Sequence, residues 1–281
     1  MSRPIKKRSK KAGLSPGSLV HIGEKKIDQI KITLMTYDQE QLLEKTLPAV
    51  EASFAYKDTP PVTWINVDGL HEVNVIEKIG LHFGIHPLVL EDIVNTGQRP
   101  KAEEFDDYIY VVLKLLDIDA AVGHIAAEQV SLILGPHFLI SFQEKEGDVF
   151  NYVRERIRKA RGRIRKSGCD YLAYALMDAV VDHYFVILER LGEKIEQLED
   201  ELLNNPTSRM LEDIHHLKRE MIVFRKQVWP LREVLNSLIK EQAALIQETT
   251  HIFLRDVYDH TIQVVDTIES FRDVLSGLSD L

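Results

Sequence analysis

The stretch HPLVLEDIVN, residues 86–95, sets two adjacent carboxylates, Glu91 and Asp92, inside an apolar helical pattern. Paired acids of this kind serve as a solvated helix flank, as a catalytic acid–base pair, or as half of a site for a hard cation. Neighbouring helical residues point about 100° apart, so Leu88 and Ile93, with Val89 or Leu90, face a core while the acids lie at its margin. Asp178 is set differently, within DYLAYALMDAVVDHYF, and Asp182 follows one turn later on the same face. A carboxylate among apolar and aromatic residues needs a hydrogen-bond partner, a proton or a cation. Asp256, in FLRDVYDHTIQ, falls with Gln263 on the face away from an apolar seam, and Asp259, Asp266 and Asp273 recur on the adjoining outer face. The plain reading of that surface is solvation; it also carries the oxygen ligands that hard cations take.

Other chemistries find less support. His82 and His86 are four apart, but Gly84 and Pro87 interrupt any shared helix face. HEVNV lacks the second His of a zinc-peptidase helix, and the chain has neither a P-loop nor a nucleophile elbow. No nucleophile, base and orienting group can be assembled, so an enzyme is not expected. The Arg-rich segment 154–166 could hold phosphate; a solvated face or a set of ion-pair partners is the plainer reading. With 44 acidic against 35 basic residues and a net charge of -9, no large nucleic-acid footprint is expected. The single Cys169 permits no internal disulfide or Cys-based zinc cluster, and the chain reads as facing the cytoplasm. The basic start lacks the apolar core of a signal peptide, and no run approaches the roughly 20 apolar residues of a bilayer span. The chain as it stands is therefore expected to be soluble.

These acids must be positioned by two kinds of structure. Residues 1–16 read as a basic mobile tail. Over 17–147 the pattern is α+β, a mixed β-sheet flanked by helices. SLVHIG, QIKITLMTY, VTWINVDG, YIYVVLKLLDI, EQVSLILG and HFLISFQ read as strands, the last two joined at Gly135-Pro136. DQEQLLEKT reads as a short helix capped by Asp38, HEVNVIEKIGLHFG as a helix stopping near Gly84, and HPLVLEDIVN as a helix with Pro87 in its first position. Over 148–248 the pattern is helical. An Arg-bearing helix is expected over 148–166. A heptad seam then runs from Val181 to Leu202, breaks at Asn204-Asn205-Pro206, and resumes from Met210 to Leu238 with a kink at Pro230. Two seams around one short break predict a long antiparallel helical hairpin. A third seam, Leu254 to Leu278, occupies 249–281 and reaches Leu281 with no stop signal, as expected of a longer stalk helix cut short.

Several long segments together resemble one family. TWINVDGLH, FGIHPLVLEDIVNTGQRPK, EQVSLIL, FQEKEGDVF, VRERIR, VWPLREVL and LRDVYDHTIQVVDTIESFRDVLSG are similar to the cytoplasmic part of CorA-type magnesium transporters. The resemblance implies a homopentamer anchored in the inner cell membrane by two later spans, with a Gly-Met-Asn pore motif that this chain does not contain. It implies regulatory Mg²⁺ between subunits, with Asp92 of one facing Asp256 of the next and Glu91 with Asp178 in an adjacent site. Filled sites would lock the interfaces and close the pore; emptied sites would release it. All four positions are carboxylates with no Cys or clustered His beside them by motif, which favours Mg²⁺, Ca²⁺, Mn²⁺ or Co²⁺ over tight zinc. The alternatives are a related zinc or cobalt/nickel transporter and a soluble helical scaffold assembled through the seams.

Overall fold

A computed structural model describes residues 13–58, 61–119, 123–147, 149–204, 207–240 and 243–280. Most of the expected basic tail, the Asn205-Pro206 part of the helix break and Leu281 lie outside the described residues.

Seven strands form one sheet: β1 Lys31–Tyr37, β2 Leu42–Leu47, β3 Val62–Asp68, β4 Lys101–Glu104, β5 Ile109–Ile118, β6 Ile125–Leu134 and β7 Phe138–Gln143. Their order is β2-β1-β3-β7-β6-β5-β4, and only β3 and β7 pair in parallel. Alternate strand residues point to opposite faces. Leu34, Ile65, Val112, Ile133 and Ile140 join one core; Met35, Trp64, Val111, Leu132 and Leu139 join the other. Burial on both faces is why β5 reads as an almost unbroken apolar run, IYVVLKLL, instead of an alternating one.

The first core is covered by a 3-10 helix over Val50–Tyr56 and by α1, Val73–Phe83, and α2, Pro87–Val94. Gly84 ends α1 with φ 74°, a left-handed position that suits glycine. His86 opens α2, its Nδ1 accepting from the Leu88 N–H at 3.2 Å, with Pro87 next as expected. The second core is covered by α3 Asn151–Arg158, α4 Cys169–Asn204, α5 Ser208–Val228, α6 Leu231–Lys240 and α7 Glu248–Asp280. The result is three layers, helices on both faces of a mixed sheet.

Near the starts of α4 and α7, Asp170 accepts from Thr250 at 2.5 Å; farther along, Gly192 lies against Phe271. These two helices therefore run parallel. Arg225 pairs with Glu269 and Lys218 with Ser279, so α5 runs opposite to both, completing the expected hairpin. α4 and α5 each pack more extensively on α7 than on one another. Pro230 interrupts the helical run between Val228 and Leu231 as expected. Among the described residues α4 alone is long and apolar enough to cross a membrane, but 67% of that apolar window is buried in the structure. Its apolarity is that of a core helix.

Three sequence expectations are corrected. DQEQLLEKT is a turn and strand β2, not a helix: Asp38 Oδ1 accepts from the N–H of Glu40 and Gln41 at 2.8 and 2.7 Å, closing the β1–β2 hairpin. An Asx turn and a helix cap use the same hydrogen bonds, and the open edge of β1 decides between them. SLVHIG is not a strand; its ladder pairing among the described residues is the isolated bridge from Ile22 to Asn95, while Leu19 packs against the first core. The helix expected over 148–166 ends at Arg158, because Ala160 and Gly162 take left-handed φ of 49° and 66° before a short 3-10 turn at Ile164–Lys166.

Candidate metal-binding carboxylates

α2 buries Val89, Leu90, Ile93 and Val94, which leaves Glu91 and Asp92 half-buried at the rim, as the spacing predicts. Asp92 is compensated within its own chain. Lys101 Nζ donates to its Oδ2 at 2.6 Å and Gln98 Nε2 to its Oδ1 at 2.7 Å, while Gln129 Nε2 donates to its backbone carbonyl at 2.8 Å. Lys101 also reaches Glu103 at 2.5 Å. Burial opposes the charge on Lys101, but its hydrogen bonds to Asp92 and Glu103 outweigh that and raise its pKa. Glu91 Oε2 accepts from the Gly17 N–H at 2.8 Å. Gly17 has φ 82°, and a Cβ there would sit 3.0 Å from Pro87 Cβ, so a residue without a side chain lets the backbone come this close.

The second group lies across the sheet, where α4 meets α7. Asp178, Asp182 and His260 offer donor atoms that all fall within 4.8 Å of one another. Burial, then the neighbouring charge of Asp182, pushes the Asp178 carboxyl up to about 6, although the Tyr174 hydroxyl donates to it at 3.3 Å. Burial raises the Asp182 pKa too, with Asp256 adding to the rise and His260 opposing it. Asp256 is 62% exposed, its Oδ2 4.0 Å from His260 Nδ1. That Nδ1 is buried and makes no hydrogen bond.

Of the four carboxylates singled out in the sequence, then, Asp178 and Asp256 share one neighbourhood on the helical layer. Glu91 and Asp92 stand on the opposite layer. Asp182 was visible one turn from Asp178. His260 was missed as a partner, because only packing of α7 on α4 brings it there; its i, i+4 spacing from Asp256 was the available cue. One histidine, His260, thus joins acids for which the motifs had offered no clustered His. Two crowded carboxylates and an unpartnered imidazole nitrogen suit a divalent cation, with oxygen donors for Mg²⁺ and a mixed set for Co²⁺.

A mixed sheet under a parallel-and-antiparallel helical layer is the architecture of the soluble domain of CorA from Methanocaldococcus jannaschii, matched with a TM-score of 0.73 at 20% identity over 89% of this chain and 95% of that one. The cytoplasmic domain of ZntB from Vibrio parahaemolyticus shares the fold, with a TM-score of 0.71 at 13% identity over 90% of this chain and 96% of that one. The family described as CorA-like Mg2+ transporter protein matches residues 61–281. The cobalt/magnesium transport protein CorA of Thermotoga maritima is 48% identical over 98% of this chain and 78% of its own length. The chain belongs to the CorA-like Mg²⁺ transporter family.

Proposed function

We propose that this chain is the cytoplasmic, cation-sensing part of a divalent-cation transporter that handles Mg²⁺ and Co²⁺, and that it is not an enzyme. The observation that carries the reading is the separation of the acids. α2 and its Glu91 and Asp92 lie on one face of the sheet, and Asp178 and Asp256 lie on the other. One chain cannot close a site from all four, whereas a second copy can bring α2 of one subunit to α7 of the next. On this reading Asp92 meets Asp256 across the interface, and Glu91 meets Asp178, as the family resemblance implies.

Gathering these acids is unfavourable until a divalent ion sits among them, the more so in a chain of net charge -9. Mg²⁺ keeps several waters and takes few protein carboxylates, which gives a weak site able to follow cellular concentration. Filled sites hold the subunits together and the pore closed; emptied sites let them shift. The assembly is a homopentamer held in the inner cell membrane by spans beyond this segment, with Mn²⁺ or Ca²⁺ able to substitute in the sites. For this segment alone, self-association is weak, concentration-dependent and strengthened by divalent cations.

A protease time course with and without Mg²⁺ tests the pairing. Asp92→Asn and Asp256→Asn each weaken Mg²⁺-dependent protection, and the double variant resembles either single one, because both remove ligands from one shared site. Equal protection in wild type and all three variants would return HPLVLEDIVN to a solvated flank. A tight pentamer in sedimentation that ignores chelator contradicts the cation-linked assembly.

A further inference from the structure

A separate cluster, with two imidazoles in place of carboxylates, lies between the sheet and the hairpin. His216 and Glu220 are four apart on α5 and share a face. His124 stands in the turn just before β6. Donor atoms of the three lie within 4.8 Å of one another. His124 Nδ1 is 2.8 Å from Glu220 Oε1, and the Ile125 N–H donates to Oε2 at 2.7 Å. The two imidazole rings cross edge-on with centroids 4.7 Å apart, and His216 Nε2 lies 3.3 Å from the Gly123 carbonyl. The Glu220 side chain is only 4% exposed, while that of His124 is 47% exposed.

A buried carboxylate carries a large desolvation cost unless a positive partner faces it. Among the partners converging on Glu220 are a backbone N–H and an imidazole, with a second imidazole alongside. We propose that His124, His216 and Glu220 bind one borderline transition cation, Zn²⁺, Co²⁺ or Ni²⁺, in preference to Mg²⁺. Two nitrogens and one carboxylate oxygen are the donor set such ions favour, whereas Mg²⁺ favours oxygen alone. The cation takes the place of the hydrogen between His124 Nδ1 and Glu220 Oε1; the imidazole ligates as the neutral tautomer, its one proton then on Nε2, so the carboxylate and both rings keep their net charges. Metal–donor bonds of ~2.0–2.1 Å in a tetrahedral site set donors ~3.3 Å apart. Reaching that spacing needs only small ring movements, which the half-exposed His124 allows. The bound ion fastens the residue that leads into β6 to the middle of α5, joining the sheet layer to the hairpin. The metal-free reading is an ion pair that seats this turn on the helix.

The test is a Co²⁺ titration of the chelator-stripped chain in excess Mg²⁺, which fills oxygen-only sites. Intense visible d–d absorption reports a four-coordinate site with nitrogen donors. Wild type is expected to bind one Co²⁺ per chain with these bands. His124→Ala and His216→Ala, both at accessible positions, are each expected to lose the bands and to weaken binding by about tenfold or more. Glu220→Gln, which keeps the side-chain shape, is expected to weaken binding too. His260→Ala, which removes the imidazole beside Asp178, is expected to keep the bands. Their absence from wild type, or their survival in His124→Ala or His216→Ala, overturns the proposal. Loss in His260→Ala with survival in His124→Ala moves the site to α4 and α7 and overturns it equally.

Discussion

The carboxylates of α2 and those of α4 and α7 differ in who neutralises them. Asp92 is met by Lys101 and Gln98, and Glu91 by the backbone of Gly17, all within the chain. Asp178 and Asp182 are met mainly by each other, a tyrosine hydroxyl and an imidazole whose Nδ1 makes no hydrogen bond. The first group is already compensated by donors of its own chain. The second is held above its ordinary pKa by burial and mutual repulsion, and stays charged at neutral pH only at a cost. On the proposed function, a cation arriving between two subunits would do different things on its two sides. It would relieve repulsion on the helical side, and on the sheet side it would compete with the Lys101 ammonium already in place.

The strongest way to break this comparison is to remove that ammonium. Lys101→Met leaves Asp92 and Glu103 without their cation in a part-buried setting. It is expected to lower stability by about 1–3 kcal/mol in urea denaturation, between the values for exposed and buried pairs. Added Mg²⁺ is expected to recover more of this loss than it adds to wild type. Equal Mg²⁺ effects on the two proteins would show that the α2 acids do not take a cation.

Asp68 sharpens the comparison as an acid outside both groups. Burial pushes its carboxyl up to about 6, against a hydrogen bond from Asn66 at 2.9 Å. A raised folded-state pKa means that the folded protein holds more protons than the unfolded one between about 4 and 6. The ionised side chain then destabilises most above pH 6, less as pH falls, and not at all below about 4. Asp68→Asn is expected to raise stability at pH 8 by about 1–2 kcal/mol, to lose that gain near pH 4, and to do so whatever the Mg²⁺ concentration. Urea midpoints across pH 4–8 check it.

The smallest effect belongs to Asp178. Its pKa shift has the same sign and window, but its partial exposure discounts the gain from Asp178→Asn to a few tenths of a kcal/mol, up to roughly 1. What separates it from Asp68→Asn is Mg²⁺. Wild type is expected to gain stability on adding Mg²⁺ and the variant to gain less, so the two curves converge. A Mg²⁺-independent difference in Tm would make Asp178 a core acid like Asp68.

Much of this arrangement follows from local chemistry. Pro87 and Gly84 set the helix boundaries around HPLVLEDIVN because each restricts or permits a backbone angle at its own position. The rim position of Glu91 and Asp92 follows from helical periodicity, and the two seams with their break follow from heptad spacing. Asp38 shows the limit: its side chain bonds to the next backbone N–H groups in a turn or at a helix cap alike, and only pairing of β2 with β1 selects the turn. Strand order, burial of both sheet faces and the parallel run of α4 with α7 depend on contacts between distant segments, which no local spacing encodes. The same holds for His260 beside Asp178 and for His124 beside Glu220. Their charges and donor atoms were present in the sequence, but a ligand set is a matter of distance, and the packing of α7 on α4 and of α5 on the sheet decided it.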